Sequence, residues 1–291
     1  MEIEVNKLKP GMILERDVVG KSGKPIVPKN TKLTDVHIKF IRKFLIEKVS
    51  VSPLHDGRKD QEMVEEILET SKRNTVFTNT FLQSVKLYKQ MFLNVRNNVT
   101  LQMYEIREKW IPIFEEVSNK PFSSILKLIK QYSEEESFYE KKVLMTFLSI
   151  AIAVKLNYAK KDWLQIGFAA LFSDLGIAKL EDGVNFYQDE NWRLHPIYSY
   201  KLIENEMTIN KHAKLAILQH HECLDGTGFP SNMKEGKIHP YAQILAVSDY
   251  VLKESKRSGL EHLITLLNTY KGSKYSEKVV DVVINEIKQD L

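Results

Sequence analysis

From about residue 57 onward, apolar side chains recur at three- and four-residue steps, the spacing of one helix face. Phe77, Phe81, Val85, Tyr88, Phe92 and Val95 make one stripe, and Met103, Ile106, Trp110 and Ile113 make a second. Pro112 interrupts the second stripe, so a kink or a restart is expected there. Pro121 suits the first turn of a helix through Ile125, Leu128 and Ile129. Aromatic stripes of this kind build a core or a helix–helix interface, so no chemistry is expected in this stretch, and a homodimer through it stays open. Beyond Ser133 the runs at 143–153 and 163–172 are apolar around much of their circumference and should lie centrally in a bundle. The last part of the chain reads as a helix through Asp249, a break at Ser258-Gly259, and two more helices ending in the amphipathic segment 279–287.

The first 55 residues follow another pattern. Short β-favouring runs (MEIEV, MILERDVV, PIVP, VSVSP) alternate with Pro10-Gly11, Gly20 and Gly23-Lys24-Pro25, which is turn chemistry. One amphipathic helix, from about Thr34 to Ile46, places Ile38, Ile41, Phe44 and Leu45 on one face behind a Thr34-Asp35 cap. The chain therefore divides into a small α+β module (1–55), a helical connecting segment (56–132) and a helical domain (133–291), and its fold class is mainly α.

Composition narrows the classes further. With 291 residues and 43% apolar content the chain can bury a full core. Its 42 basic and 38 acidic residues are interspersed and sum to +4, with a pI near 8.8; this is too weak a bias to argue for nucleic acid. A lone cysteine, Cys223, excludes an internal disulfide and any CxxC site and fits a reducing compartment. The N-terminus lacks a signal-peptide pattern. The longest apolar stretch, 143–154, is far shorter than the roughly 20 residues of a membrane span. A soluble, cytoplasmic protein with no membrane association is expected.

Chemistry is concentrated in HHECLDGTGFP at 220–230, where His220 and His221 are followed by Glu222 and by a turn containing Asp225, Gly226, Gly228, Phe229 and Pro230. By itself the pair could be helix-end imidazoles over the last carbonyls, and His195-Pro196 could be an ordinary helix start. Asp174, however, follows the apolar run 163–172, where a carboxylate needs a cation or donors to be tolerated. Asp249 lies in another apolar run. A set of carboxylates and imidazoles suits iron, manganese or zinc better than calcium. Gly226 and Gly228 are expected to supply positive-φ freedom to the turn, Asp225 to organise it, Glu222 to orient a ligand imidazole, and Cys223 to be a bystander thiol. His212, His239 and His262 have no ligand-like context.

The order and spacing of Asp174, His195, His220-His221, the Gly-rich turn and Asp249 resemble the HD-GYP family, over roughly the last 155 residues. The resemblance implies an HD-type helical bundle, a cyclic di-GMP or related phosphodiester ligand, and two adjacent metal positions bridged by Asp174. It also implies that His195, His220 and His221 serve one position, and that the other uses Asp249 with two further histidines. Those histidines are not found. Ser173 precedes Asp174, and the family's first histidine falls on Lys141, or on Tyr139 if the register slips. Ile177 replaces a lysine and Phe229 the GYP tyrosine, and the 21-residue interval from Asp174 to His195 is short for the family.

One divalent ion is therefore expected, iron or manganese ahead of zinc, with the second in doubt. Lys141 would stand near Asp249 and Asp174 as a partial substitute for it, or else be an ordinary surface lysine. Two-metal hydrolysis clamps both the attacking and the leaving oxygen, so the losses suggest a receptor or interaction module. The alternative is an enzyme that still hydrolyses a phosphodiester or simpler phosphate ester with one ion, Asp174 taking the catalytic role. The N-terminal module resembles one that often precedes such domains, where a protein-partner role and plain packing are equally open.

Overall fold

In the computed structural model, residues 2–19, 25–43, 46–52, 57–132, 138–180 and 190–290 are described. The chain divides into two compact units, Met1–Arg73 and Asn74–Leu291.

The first unit contains β1 (Glu2–Glu4), β2 (Ile13–Leu14), β3 (Val18–Val19), β4 (Pro25–Val27), α1 (Asp35–Lys43) and β5 (Lys48–Ser52). β5 lies between β1 and β2, antiparallel to both, while β3 and β4 form a separate antiparallel pair. Alternation decides the sheet: Val49 and Val51 of β5 point inward, two residues apart, and join Leu14, Val18, Val27, Ile38 and Ile41 in a core of their own. The Thr34 hydroxyl accepts from the His37 amide (3.4 Å) at the start of α1. The expected α+β character is therefore present. Phe44 and Leu45 lie outside the described residues.

α2 (Gly57–Arg96) crosses the division between the units. It is followed by α3 (Met103–Ser118), α4 (Phe122–Tyr132), α5 (Phe138–Lys155), α6 (Lys160–Phe172), α7 (His195–Ile203), α8 (Lys211–Gln219), α9 (Pro240–Tyr270) and α10 (Glu277–Asp290). The protein is mainly α, a helical bundle with a small strand-containing N-terminal part. α5 is central, packed against α3, α4, α6, α9 and α10, and every residue from Val143 to Ala153 is buried, as its uniform apolarity demands. The aromatic stripe of α2 is covered within this chain: Phe77 and Phe81 meet Phe147, and Phe92 meets Phe138 and Tyr139. Aromatic pairs add about 0.5–1.5 kcal/mol each beyond burial.

Of the kink or restart expected at Pro112, the restart does not occur: α3 runs through the proline, because buried Trp110, Phe114 and Val117 on the same helix outweigh the single backbone bond that it removes. The expected break after Asp249 is absent. α9 continues unbroken through Ser258-Gly259 to Tyr270, so one helix follows it rather than two. Glycine inside a helix costs only about 1 kcal/mol, less than the burial of Leu252, Leu263 and Leu267 along the same helix contributes.

Candidate metal centre

Three packing devices bring the site together. α6 ends at Phe172, and the chain turns through Ser173 and Asp174 into a short 3-10 turn, Leu175–Lys179. The Ser199 hydroxyl on α7 donates to the Ser173 carbonyl (2.7 Å) and accepts from the Gly176 amide (2.8 Å), pinning that turn to α7. A Cβ at residue 176 would lie 2.4 Å from the His195 carbonyl oxygen and the Ser199 nitrogen, so only glycine permits the approach. His195, opening α7, is thereby carried to Asp174. α8 supplies the third arm, ending at Gln219 with His220 as its cap.

Four side chains converge: Asp174, His195, His220 and His221 offer ligand atoms all within 4.8 Å of one another. Asp174 Oδ1 lies 2.9 Å from His195 Nε2 and 3.2 Å from His220 Nε2, and the two Nε2 atoms are 3.3 Å apart. The other ring nitrogens are already used. His195 Nδ1 is 2.7 Å from the Trp192 carbonyl and His220 Nδ1 is 2.7 Å from that of Ile217. A carbonyl only accepts, so each Nδ1 carries the proton and each neutral ring presents its Nε2 lone pair inward. His221 Nε2 is shut away from solvent with no hydrogen-bond partner. Three imidazole lone pairs and a carboxylate oxygen facing one another repel unless a cation lies among them. Tetrahedral ligands of an ion bound at about 2.1 Å stand about 3.4 Å apart, close to the 2.9 to 3.3 Å among Asp174 Oδ1 and the Nε2 atoms of His195 and His220.

The electrostatics agree. Burial holds the His220 imidazole below its ordinary value, and burial together with the neighbouring His220 and His195 rings holds His221 well below it. Both are thus kept in the form that ligates a metal. Burial alone would push the Asp174 carboxyl up, but the Lys142 ammonium holds it well below the usual carboxylate range.

The remaining sequence-nominated residues divide. Asp249 is not in the four-residue group; it pairs with Lys141 at 2.9 Å. Burial is opposed there by Lys141 and His221, which leaves the Asp249 carboxyl depressed. Lys141 does not reach both carboxylates as anticipated: the lysine on Asp174 is its neighbour Lys142, whose ammonium contacts Asp174 Oδ2. Successive helix positions point about 100° apart, so one lysine meets each carboxylate.

Glu222 is a second correction. Its carboxylate orients no imidazole; Oε1 accepts from the Ser231 amide (2.6 Å) and Oε2 from that of Met233 (2.9 Å), folding the Gly-rich loop back under the histidines. Asp225 does organise the turn, accepting from the Thr227 amide (2.9 Å) and hydroxyl (2.7 Å). Gly226 has φ +81°, but Gly228 is needed for closeness rather than for positive φ. A Cβ there would lie 2.4 Å from Cys223 N and Glu222 Cα. Cys223 is buried and outside the ligand group, and burial raises its thiol pKa.

Phe229 stacks on His221 with ring centroids 4.5 Å apart, beside the half-buried Pro230. Trp192 packs against His195, His221 and Phe229, and the exposed Arg193 guanidinium lies 5.1 Å over the Phe229 ring. His212 and His239, read as ordinary polar residues, are 2.8 Å apart, and His239 caps α9 by accepting from the Tyr241 amide.

Comparison with known proteins follows from this geometry. The HD domain family matches residues 125–268, the span that contains Asp174 and all three imidazoles. Residues 125–268 carry an HD domain. The chain is 25% identical over 235 residues to a cyclic di-GMP phosphodiesterase of Thermotoga maritima. The match covers 75% of the chain and spans about 60% of the relative's length. Its fold resembles that of Bd1817, an HD-GYP protein from Bdellovibrio bacteriovorus, with a TM-score of 0.52, 17% identity and 99% of each chain covered. HD domains are metal-dependent, which accords with the His/Asp group. Among the described residues no helix is long and apolar enough to cross a membrane.

Three contributors escaped the sequence reading: Lys142, Ser199 and Tyr88. Tyr88 is fully buried with its hydroxyl unpartnered. Burial, and then the charge of Asp174, raise its pKa well above the ordinary value.

Proposed function

We propose that this chain is an HD-GYP module that holds one divalent ion and binds cyclic di-GMP or a related phosphodiester. It hydrolyses that ligand weakly or not at all, so that it works as a receptor or interaction module in signalling. The observation that carries the reading is the convergence of Asp174 Oδ1 and the Nε2 atoms of His195 and His220 with a ring nitrogen of His221, an N3O set for one ion. Imidazoles with one carboxylate favour iron or manganese and allow zinc. When bound, such an ion supplies Lewis-acid polarisation of a phosphoryl oxygen.

The protein's own residues supply the rest. Ser173 places no imidazole beside Asp174, which argues against a second ion and with it against clamping both ends of an in-line displacement. Ile177, buried and apolar, offers a phosphate no charge. At the rim, Trp192 and Phe229 provide flat faces on which a base can stack, and Arg193 provides a planar guanidinium for phosphate oxygens.

The test pairs equilibrium binding of cyclic di-GMP to the Mn2+-loaded full chain with product analysis, using His221→Ala as the control. The expected result is binding that the control loses, with little or no product. Rapid turnover abolished by the same substitution would instead make this a working phosphodiesterase, with one ion at Asp174 sufficient for hydrolysis. Neither binding nor product would refute a phosphodiester ligand.

A further inference from the structure

Asp174 has two carboxylate oxygens with different company. Oδ1 faces the Nε2 atoms of His195 and His220, while Oδ2 faces the ammonium of Lys142. Lys142 is 2% exposed, on a helix whose next eleven residues are all buried. A lysine so placed is tolerated only when its charge is met. Here Asp174 meets it, and the remaining ammonium protons point at Ser173 Oγ (3.1 Å) and Met145 Sδ (2.9 Å). Ser173 in turn donates its own proton to the Ala170 carbonyl (3.0 Å), leaving a lone pair for Lys142. The Oδ2 side is thus a finished polar network built around a lysine nitrogen. One residue earlier on α5, the partly exposed Lys141 pairs with Asp249.

We infer that Lys142 is the resident cation of this centre: its ammonium occupies the side of Asp174 that a second ion would need, and so limits the centre to one divalent ion. A carboxylate that bridges two cations gives one oxygen to each, and Asp174 already gives Oδ2 away. The ammonium has two consequences. It repels the ion that binds at Oδ1, since like charges a few ångströms apart in a dry site interact strongly. It also neutralises Asp174 when no ion is present, so the folded chain tolerates losing its metal. The second lysine, on Asp249, removes the other carboxylate from which a second site could be assembled.

This rests on the one-ion reading of Asp174, His195, His220 and His221, and the experiment separates the two. Metal-stripped full-length protein is titrated with Mn2+, following free Mn2+ by electron paramagnetic resonance and counting ions per chain after desalting. Wild type, Lys142→Met, Lys142→Arg and His221→Ala are compared, and thermal midpoints are recorded with and without Mn2+. The expected results are one ion per chain in wild type and at least tenfold tighter binding in Lys142→Met. Affinity in Lys142→Arg should stay within about threefold of wild type. Metal stripping should also lower the midpoint of Lys142→Met more than that of wild type, with Mn2+ restoring it.

Two ions per wild-type chain would overturn the inference. So would binding in Lys142→Met no tighter than in wild type, while His221→Ala still abolishes binding; the one-ion site would then stand without a resident cation. No ion in wild type or in Lys142→Met would overturn both. If Lys142→Met does not fold even with Mn2+, Lys142→Gln takes its place and is read in the same way.

Discussion

His195 and His220 face each other Nε2 to Nε2 at 3.3 Å, and each has its Nδ1 committed to a backbone carbonyl. Two rings arranged this way can both turn Nε2 toward one cation. The tautomers are fixed by Trp192 and Ile217, residues that hold no metal themselves.

A pH dependence follows for the metal-stripped protein. The His220 and His221 pKa values are depressed in the folded state, below the 6.5 of an unperturbed histidine. The unfolded chain therefore binds more protons, and stability falls as pH drops below about 6.5, by up to about 1.4 kcal/mol per pH unit for each group. Above pH 7 these two groups give no slope. Asp174 and Asp249, also depressed, contribute stability that is present above their unfolded pKa of 3.8 and lost only as pH falls below it. Urea midpoints measured from pH 8 to 5 check the first claim; a flat profile would contradict it.

Ser199→Ala removes both bonds that hold the Ser173–Gly176 turn to α7. Losing buried hydrogen bonds costs about 1–3 kcal/mol for each group left unpaired, so a loss of about 2–4 kcal/mol in chemical denaturation is expected. Because the turn carries Asp174, Mn2+ affinity should fall about tenfold as well, the lower end for outer-shell partners.

Gly228→Ala forces a methyl group onto the backbone of Cys223 and Glu222. Overpacking against backbone costs about 1–3 kcal/mol, and the displaced loop should pull on His221. Calorimetry and Mn2+ titration of the variant would both register the change. Wild-type behaviour in both would show that the close approach is dispensable.

Tyr88→Phe should leave the fold as stable or raise its stability by up to about 1 kcal/mol, because it removes a buried hydroxyl that has no partner. A clear loss of stability in thermal unfolding would mean that the hydroxyl has a bound partner in solution.

Legibility differed by kind of residue. Asp174, His195, His220 and His221 could be named from the sequence because ligand chemistry restricts residue type, and few residues in a mainly apolar bundle meet that restriction. Lys142 could not. In sequence it is half of a Lys141-Lys142 pair that reads as a solvated edge of α5, and only the rotation between successive helix positions, set against Asp174 and Asp249, assigns one lysine to each carboxylate. Glu222 looked like an orienting acid beside two histidines, yet amides nine and eleven residues downstream claimed it.

What the sequence determined alone was periodic or compositional: the mainly helical class, the centrality of α5 and α6, the small α+β N-terminal part, and the ligand types. These follow from local rules, since spacing dictates which face is buried and chemistry dictates which atoms can hold a cation. The tertiary structure decided the continuity of α3 through Pro112 and of α9 through Gly259, where packing energy exceeded local propensity. It also decided the pairing of Lys142 with Asp174 and the clamp from Ser199, because residues 23 to 32 positions apart become neighbours only once the helices have packed.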